Sequence, residues 1–105
     1  MIIRIVRMNF RPENIKAFLD IFNDSKSYII ESKGCLHVEL WQDLTESHVF
    51  VTHSHWESEE ALNEYRNSQF FREIWEKTKN LFKEKPMAFS VKRFETDTII
   101  SEISG

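Results

Sequence analysis

Between Val49 and Phe71 the chain reads VFVTHSHWESEEALNEYRNSQFF, an alternating run that ends at Trp56 and gives way at once to a helical pattern. Strand side chains alternate between faces, so Val49, Val51, His53 and His55 point to one side and Phe50, Thr52, Ser54 and Trp56 to the other. Glu57 and Ser58 break the alternation. Glu59 and Glu60 then place negative charge in a first helical turn, where exposed amides favour it. A strand that hands over directly to a helix, inside so short a chain, restricts the fold to a layered mixture of the two.

The rest of the chain fits that frame. Ile2 to Phe10 reads as a strand with Ile2, Val6, Met8 and Phe10 on one face and Ile3 and Ile5 on the other, a pattern for a central strand covered on both sides. Pro12 suits a first helical turn, and Ile15, Phe18, Leu19, Phe22, Ile29 and Ile30 recur at helical spacing, predicting a helix from about Pro12 to Ser32. Gly34 is its stop. Cys35 to Asp43 forms a second strand, with Leu36, Val38 and Leu40 opposite His37, Glu39 and Trp41, and hairpins with the third through Asp43–Ser47. After Trp56, Leu62 and Tyr65 start a helical stripe that pauses at Asn67 and Ser68 and resumes through Phe71, Ile74, Trp75, Thr78, Leu81 and Phe82, as one broken helix or two in series. Pro86 opens a last strand, Met87 to Phe94. The order β-α-β-β-α-β is α+β and ferredoxin-like, two helices on one face of a four-stranded antiparallel sheet. Residues 1–94 make that domain, and 95–105, with Ile99, Ile100 and Ile103, read as an arm on a partner or a frayed tail.

The block Trp56, Glu57, Ser58, followed by Glu60, Ala61 and Leu62, resembles the antibiotic biosynthesis monooxygenase superfamily, whose small domains carry a strand ending in W-E-S and then E-A-L on a short helix. The resemblance runs from about Ile2 to Phe94. It implies a homodimer, paired sheet against sheet into a dimeric α/β barrel. It also implies oxygenation of an electron-rich aromatic or quinol by molecular oxygen, with no flavin, metal or other cofactor, the substrate's own carbanion activating oxygen. Two family patterns are missing. Where many members carry H-x-x-x-x-H, this chain has Tyr65 and Phe70. Where haem-degrading members place an axial histidine it has Trp75, and their strand-one asparagine falls near Val6 or Arg7, so haem degradation is not expected.

Composition excludes other classes. A chain of 105 residues is one domain. Its formal charge of -3, with lysines and arginines interleaved among acids, offers no basic stripe for nucleic acid. No stretch approaches the roughly 18 apolar residues of a membrane span, and Arg4 and Arg7 interrupt the N-terminal apolar run, so a cytoplasmic protein with no membrane partner is expected. The single Cys35 suits a reducing compartment and reads as a small core residue. With only Gly34 and Gly105, no phosphate loop or dinucleotide fingerprint can form. Nine Phe, three Trp and two Tyr exceed what so small a core can hide, so some should line a ligand cavity or a subunit interface.

The candidate site lies between sheet and helices. Trp56, Trp75 and Tyr65 could wall a pocket for a planar aromatic ligand, with Arg7 and Asn9 adding a cation and an amide. Ordinary core packing of Trp56 and Trp75, and Arg7 reaching out of the sheet to solvent, are the simpler readings. The chemistry implied by the resemblance needs a base, for which His53, His55, His37 and Tyr65 are the candidates. His53, His55 and His37 could also meet at a metal, but their spacing reads more simply as interface histidines, and no metal site is expected. The alternative function is a non-catalytic dimer that binds a hydrophobic small molecule or serves in stress response.

Overall fold

The computed structural model describes residues 1–94, and the arm or tail expected at 95–105 lies outside the described residues. Strand β1 spans Ile2–Asn9, helix α1 Ile15–Ile30, strand β2 Cys35–Gln42, strand β3 Val49–Trp56, helices α2 Glu59–Arg66 and α3 Gln69–Thr78, and strand β4 Met87–Val91. The sheet is antiparallel in the order β2-β3-β1-β4. This is the ferredoxin-like α+β fold, and β1 is central as its two-sided apolar pattern requires.

Local chemistry sets the element ends. Pro12 opens a 3₁₀ turn, Pro12–Asn14, that feeds α1. Ser58 caps α2, its Oγ accepting from the Ala61 amide at 3.1 Å, with Glu59 and Glu60 in the first turn. The pause at Asn67 and Ser68 is a true break that divides the stripe into two helices. Ser68 Oγ accepts from the Phe71 amide at 3.1 Å to start α3, while its hydroxyl donates to the Tyr65 carbonyl at 2.6 Å. Gly34 takes φ +82°, and a Cβ added there would meet the Ala61 Cβ at 2.5 Å. The turn before β2 therefore packs on the first turn of α2, and the E-A-L element needs its small residue at that contact. The last strand stops at Val91 rather than Phe94.

Register decides which side chains share a face. Directly paired residues of an antiparallel sheet point the same way. Val38, Ser54, Arg4 and Ser90 form one row across the sheet, and Leu40, Thr52, Val6 and Ala88 another. These rows lie under the helices. The apolar core closes one end of that layer: Met8, Phe10 and Phe50 from the sheet side meet Phe18 and Phe22 of α1, with the Phe10 and Phe18 rings stacked at 4.2 Å. The alternate rows, Glu39–His53–Ile5–Phe89, His37–His55–Ile3–Val91 and Trp41–Val51–Arg7–Met87, form the other face of the sheet. No described element covers them, and Trp41, Met87, Phe89 and Val91 are all exposed there.

Candidate functional site

Where the aromatic core ends, sheet and helices part around a cavity of about 300 Å³. Its floor is the even-numbered side of the sheet, with Arg4, Val6, Met8, Thr52, Ser54 and Trp56, and its roof is α1, α2 and α3, with Phe22, Tyr65, Phe71, Ile74 and Trp75 among the lining residues. Most of that lining is apolar, so polar groups facing it are few and their hydrogen bonds can be accounted for one by one.

Trp56 is 1% exposed and anchors the floor. Its indole N–H donates to Ser54 Oγ at 2.9 Å, which leaves the Ser54 hydroxyl proton unused, and its ring lies against Tyr65 with centroids 4.9 Å apart and planes 30° inclined. Tyr65 meets Phe71 edge-on at 5.2 Å, and Phe71 is parallel to Trp75 at 6.0 Å, so four aromatic side chains run in series along one wall. Ser25 and Thr78 also border the cavity, but their hydroxyls donate back to the Ile21 and Ile74 carbonyls at 2.7 and 2.8 Å, within their own helices. Among the described residues the Thr52 and Tyr65 hydroxyls have no hydrogen-bond partner, and with Ser54 they are the groups available to a ligand.

Three titratable side chains line this space: Arg4, Tyr65 and Arg66. Burial pushes the Tyr65 phenol well above its ordinary range, with a smaller push from Cys35. It is therefore a hydrogen-bond donor at neutral pH, not a base. The Arg4 guanidinium is shifted down, first by burial and then by the charge of Arg66, and it donates to Ser90 Oγ at 3.1 Å. The Cys35 thiol, half-buried at the start of β2, is pushed up by desolvation, which fits an unreactive packing residue.

A sequence model describing antibiotic biosynthesis monooxygenases matches residues 1–77. The chain belongs to this family. Solved structures share the fold. A conserved protein from Methanosarcina mazei Go1 superposes with a TM-score of 0.84 at 18% identity, covering 90% of this chain and 94% of its own. An antibiotic biosynthesis monooxygenase gives 0.84 at 17% identity over 90% and 100%. A protein of Mycobacterium tuberculosis gives 0.82 at 16% over 92% and 98%. At these identities the likeness concerns the fold alone. No curated protein matches the chain.

Against this family frame, the residues nominated from the sequence divide between the two faces of the sheet. Trp56, Tyr65 and Trp75 come together in the cavity. His53 and His55 do not, because their odd-numbered positions on β3 turn them to the uncovered face with His37. Arg7 and Asn9 turn to the same side, as the alternation along β1 demands, with Asn9 at its buried end opposite Val49. Arg7 approaches Glu46 at 3.6 Å, and Asn9 is buried with its Oδ1 lacking a hydrogen-bond partner. Arg7 and Asn9 are thus corrected as pocket groups, and His53 and His55 as bases for it. Arg4 and Arg66 are the cations that the sequence reading missed. Arg4 shares the period of Val6 and Met8, and Arg66 stands one helical turn after Leu62, so both positions were available from spacing.

The uncovered face holds its own polar cluster. Trp41 stacks on His53 at 4.3 Å, His53 and His55 bring their Nε2 atoms to 3.3 Å, and Glu39 accepts from the Trp41 indole at 2.7 Å and contacts His37 Nε2. Donor atoms of His37, Glu39 and His53 lie within 4.8 Å of one another, close enough for three ligands of one metal ion. Hydrogen bonding from Trp41 and then His37 holds the Glu39 carboxyl below its ordinary range, and burial followed by the neighbouring His53 and His37 charges holds His55 down. No described helix is long and apolar enough to cross a membrane.

Proposed function

We propose that this chain is a cofactor-independent monooxygenase that oxidises a small aromatic or quinol in the cavity between sheet and helices. The observation that carries this reading is an open, aromatic-walled space faced by unpartnered hydroxyls, in a chain of this family. Had Trp56, Trp75 and Phe71 filled that space, a non-catalytic binding dimer would be the better reading. Instead they border it, and a tyrosine with a strongly raised pKa faces it, as is common where a site handles protons or charge.

The residues support a division of labour. Trp56, Tyr65, Phe71 and Trp75 would hold a planar ring and exclude water. Ser54, Thr52 and Tyr65 would donate hydrogen bonds to its oxygens. The substrate supplies the electrons: a ring-flanking CH₂ that has lost a proton adds O₂ to give a hydroperoxide, which loses water to leave C=O. One oxygen atom enters the product and the other leaves as water, with no external reductant.

The same reading includes a homodimer. Trp41, Met87, Phe89 and Val91 form an exposed apolar stripe on the uncovered face, unusual for a soluble monomer, and a second copy of the same sheet would bury it. The lone Cys35 is in keeping with a cytoplasmic location.

Oxygen uptake with a panel of quinols and polyphenols tests the function. Enzymatic uptake above each substrate's own autoxidation, lowered in Trp56→Phe and Tyr65→Phe, is expected. No uptake across the panel would leave the binding-dimer reading in its place.

A further inference from the structure

The cavity has cations but no proton acceptor. Its lining includes no histidine, aspartate, glutamate or cysteine among the described residues, and its one phenol stays protonated at neutral pH. Two guanidiniums border the same apolar space. Arg4 projects from the middle of the sheet into the row between Ser54 and Ser90, and Arg66 closes α2 directly after Tyr65. The ion pairs among the described residues involve Arg7, Lys16, His37 and Lys79, so neither cavity arginine has a carboxylate within 4.0 Å.

Arg66 is exposed, but Arg4 is half-buried beside a mostly apolar cavity and a second cation, with no counter-ion among the described residues, and an anion recovers that cost in free energy on binding. The Ser90 contact occupies one of Arg4's five N–H donors, leaving a planar fork suited to a carboxylate or an ionised phenol. Arg66 has a second role as a cation at a helix C-terminus, but that role needs no cavity beside it.

We propose that the cavity recognises an aromatic anion, a carboxylate or an already ionised phenol, with its negative group at the Arg4 and Arg66 end and its ring along Trp56, Tyr65 and Trp75. This rests on the cavity being the substrate site and narrows the substrate class. Where the ionised phenol is the enol form of a ring-flanking CH₂ ketone, its anion is already the carbanion that meets O₂ and needs no base from the protein, whereas a carboxylate serves as an anchor alone.

The test is direct binding to the full chain by titration calorimetry, comparing 2-naphthoate with 2-naphthamide, its neutral analogue of near-identical shape. The carboxylate should bind about tenfold or more tightly than the amide, the order expected of a charge-assisted contact. Arg4→Gln should abolish that preference, Arg66→Gln should reduce it, and Arg4→Lys should keep part of it. Thermal melts of each variant separate lost charge from lost fold. Equal affinity for the two probes, a preference unchanged in both glutamine variants, or no naphthoate binding at millimolar concentration would overturn the proposal. Naphthoate selectivity without oxygen uptake on any substrate would instead remove the oxygenase reading and leave the anion site standing.

Discussion

The hydrogen bond between the Trp56 indole and Ser54 can be weighed by a double-mutant cycle. Both partners are buried, Trp56 at 1% and Ser54 at 9% exposure, and the bond is 2.9 Å long. Trp56→Phe loses the donor and part of the ring, costing about 2–3 kcal/mol from the packing defect and the orphaned serine together. Ser54→Ala removes the acceptor and leaves a buried indole N–H, costing about 1–2 kcal/mol. In the double variant neither group is left unpaired, so its loss should fall short of the sum by about 1 kcal/mol. All three losses fit within the roughly 5–15 kcal/mol of a typical domain, so each variant should remain folded in water. Urea midpoints read by far-ultraviolet circular dichroism, which avoids the altered tryptophan signal, measure the cycle. Additivity within about 0.5 kcal/mol would refute the argument and mean that packing alone holds the indole against Tyr65.

Gly34→Ala should destabilise by more than about 1 kcal/mol in the same assay, because φ is +82° and the new methyl meets Ala61; adding Ala61→Gly should recover the steric part and leave the backbone part. Phe89→Glu, in the middle of the exposed apolar stripe, should give a monomer by light scattering if two sheets pair there, while an unchanged mass for a dimeric parent would place the interface elsewhere. His55 binds protons less readily in the folded chain than at its ordinary 6.5, so the unfolded chain takes up more protons between the lowered value and 6.5. Stability should therefore rise with pH across that window, and a urea midpoint that drops on acidification in the parent should do so less in His55→Asn. Because Tyr65 remains a donor, any rise of turnover with pH near neutrality should follow the substrate's ionisation and survive Tyr65→Phe with a lower amplitude; loss of the limb in that variant would make Tyr65 the base.

The fold was legible because each element carries its own punctuation. Two-residue alternation in β1 and β3, Pro12 at a first turn, Ser58 and Ser68 as caps and Gly34 as a stop are local signals whose physical reasons do not depend on the rest of the chain. The end of β4 was less so, since Met87–Phe94 has few such marks and a strand cannot pair beyond the end of its neighbour. β1 pairs with β4 no further than Ile3 against Val91, so Lys92, Arg93 and Phe94 have little left to pair with. The break at Asn67 and Ser68 showed in the sequence as a pause, but whether it ended the helix depended on Ser68 serving both helices at once, accepting from Phe71 and donating to Tyr65.

The candidate site is less legible, because side-chain type and side-chain face point to different residues. His53 and His55 stand out by side-chain type, although the alternation that puts Trp56 on the helix side turns both of them away from it. Arg7 and Asn9 likewise share the period of Ile3 and Ile5 rather than of Met8. Choosing by face first gives Arg4, Thr52, Ser54 and Trp56 on the sheet, and the helical stripe adds Tyr65 and Trp75. Such a set contains donors and cations and no base. His37, His53 and His55 are gathered on the opposite face beside Trp41 and Phe89, away from the cavity. The two faces of one sheet so divide the chain's polar chemistry, with hydroxyl donors and the Arg4 and Arg66 cations on the helix side and His37, Glu39, His53 and His55 on the other.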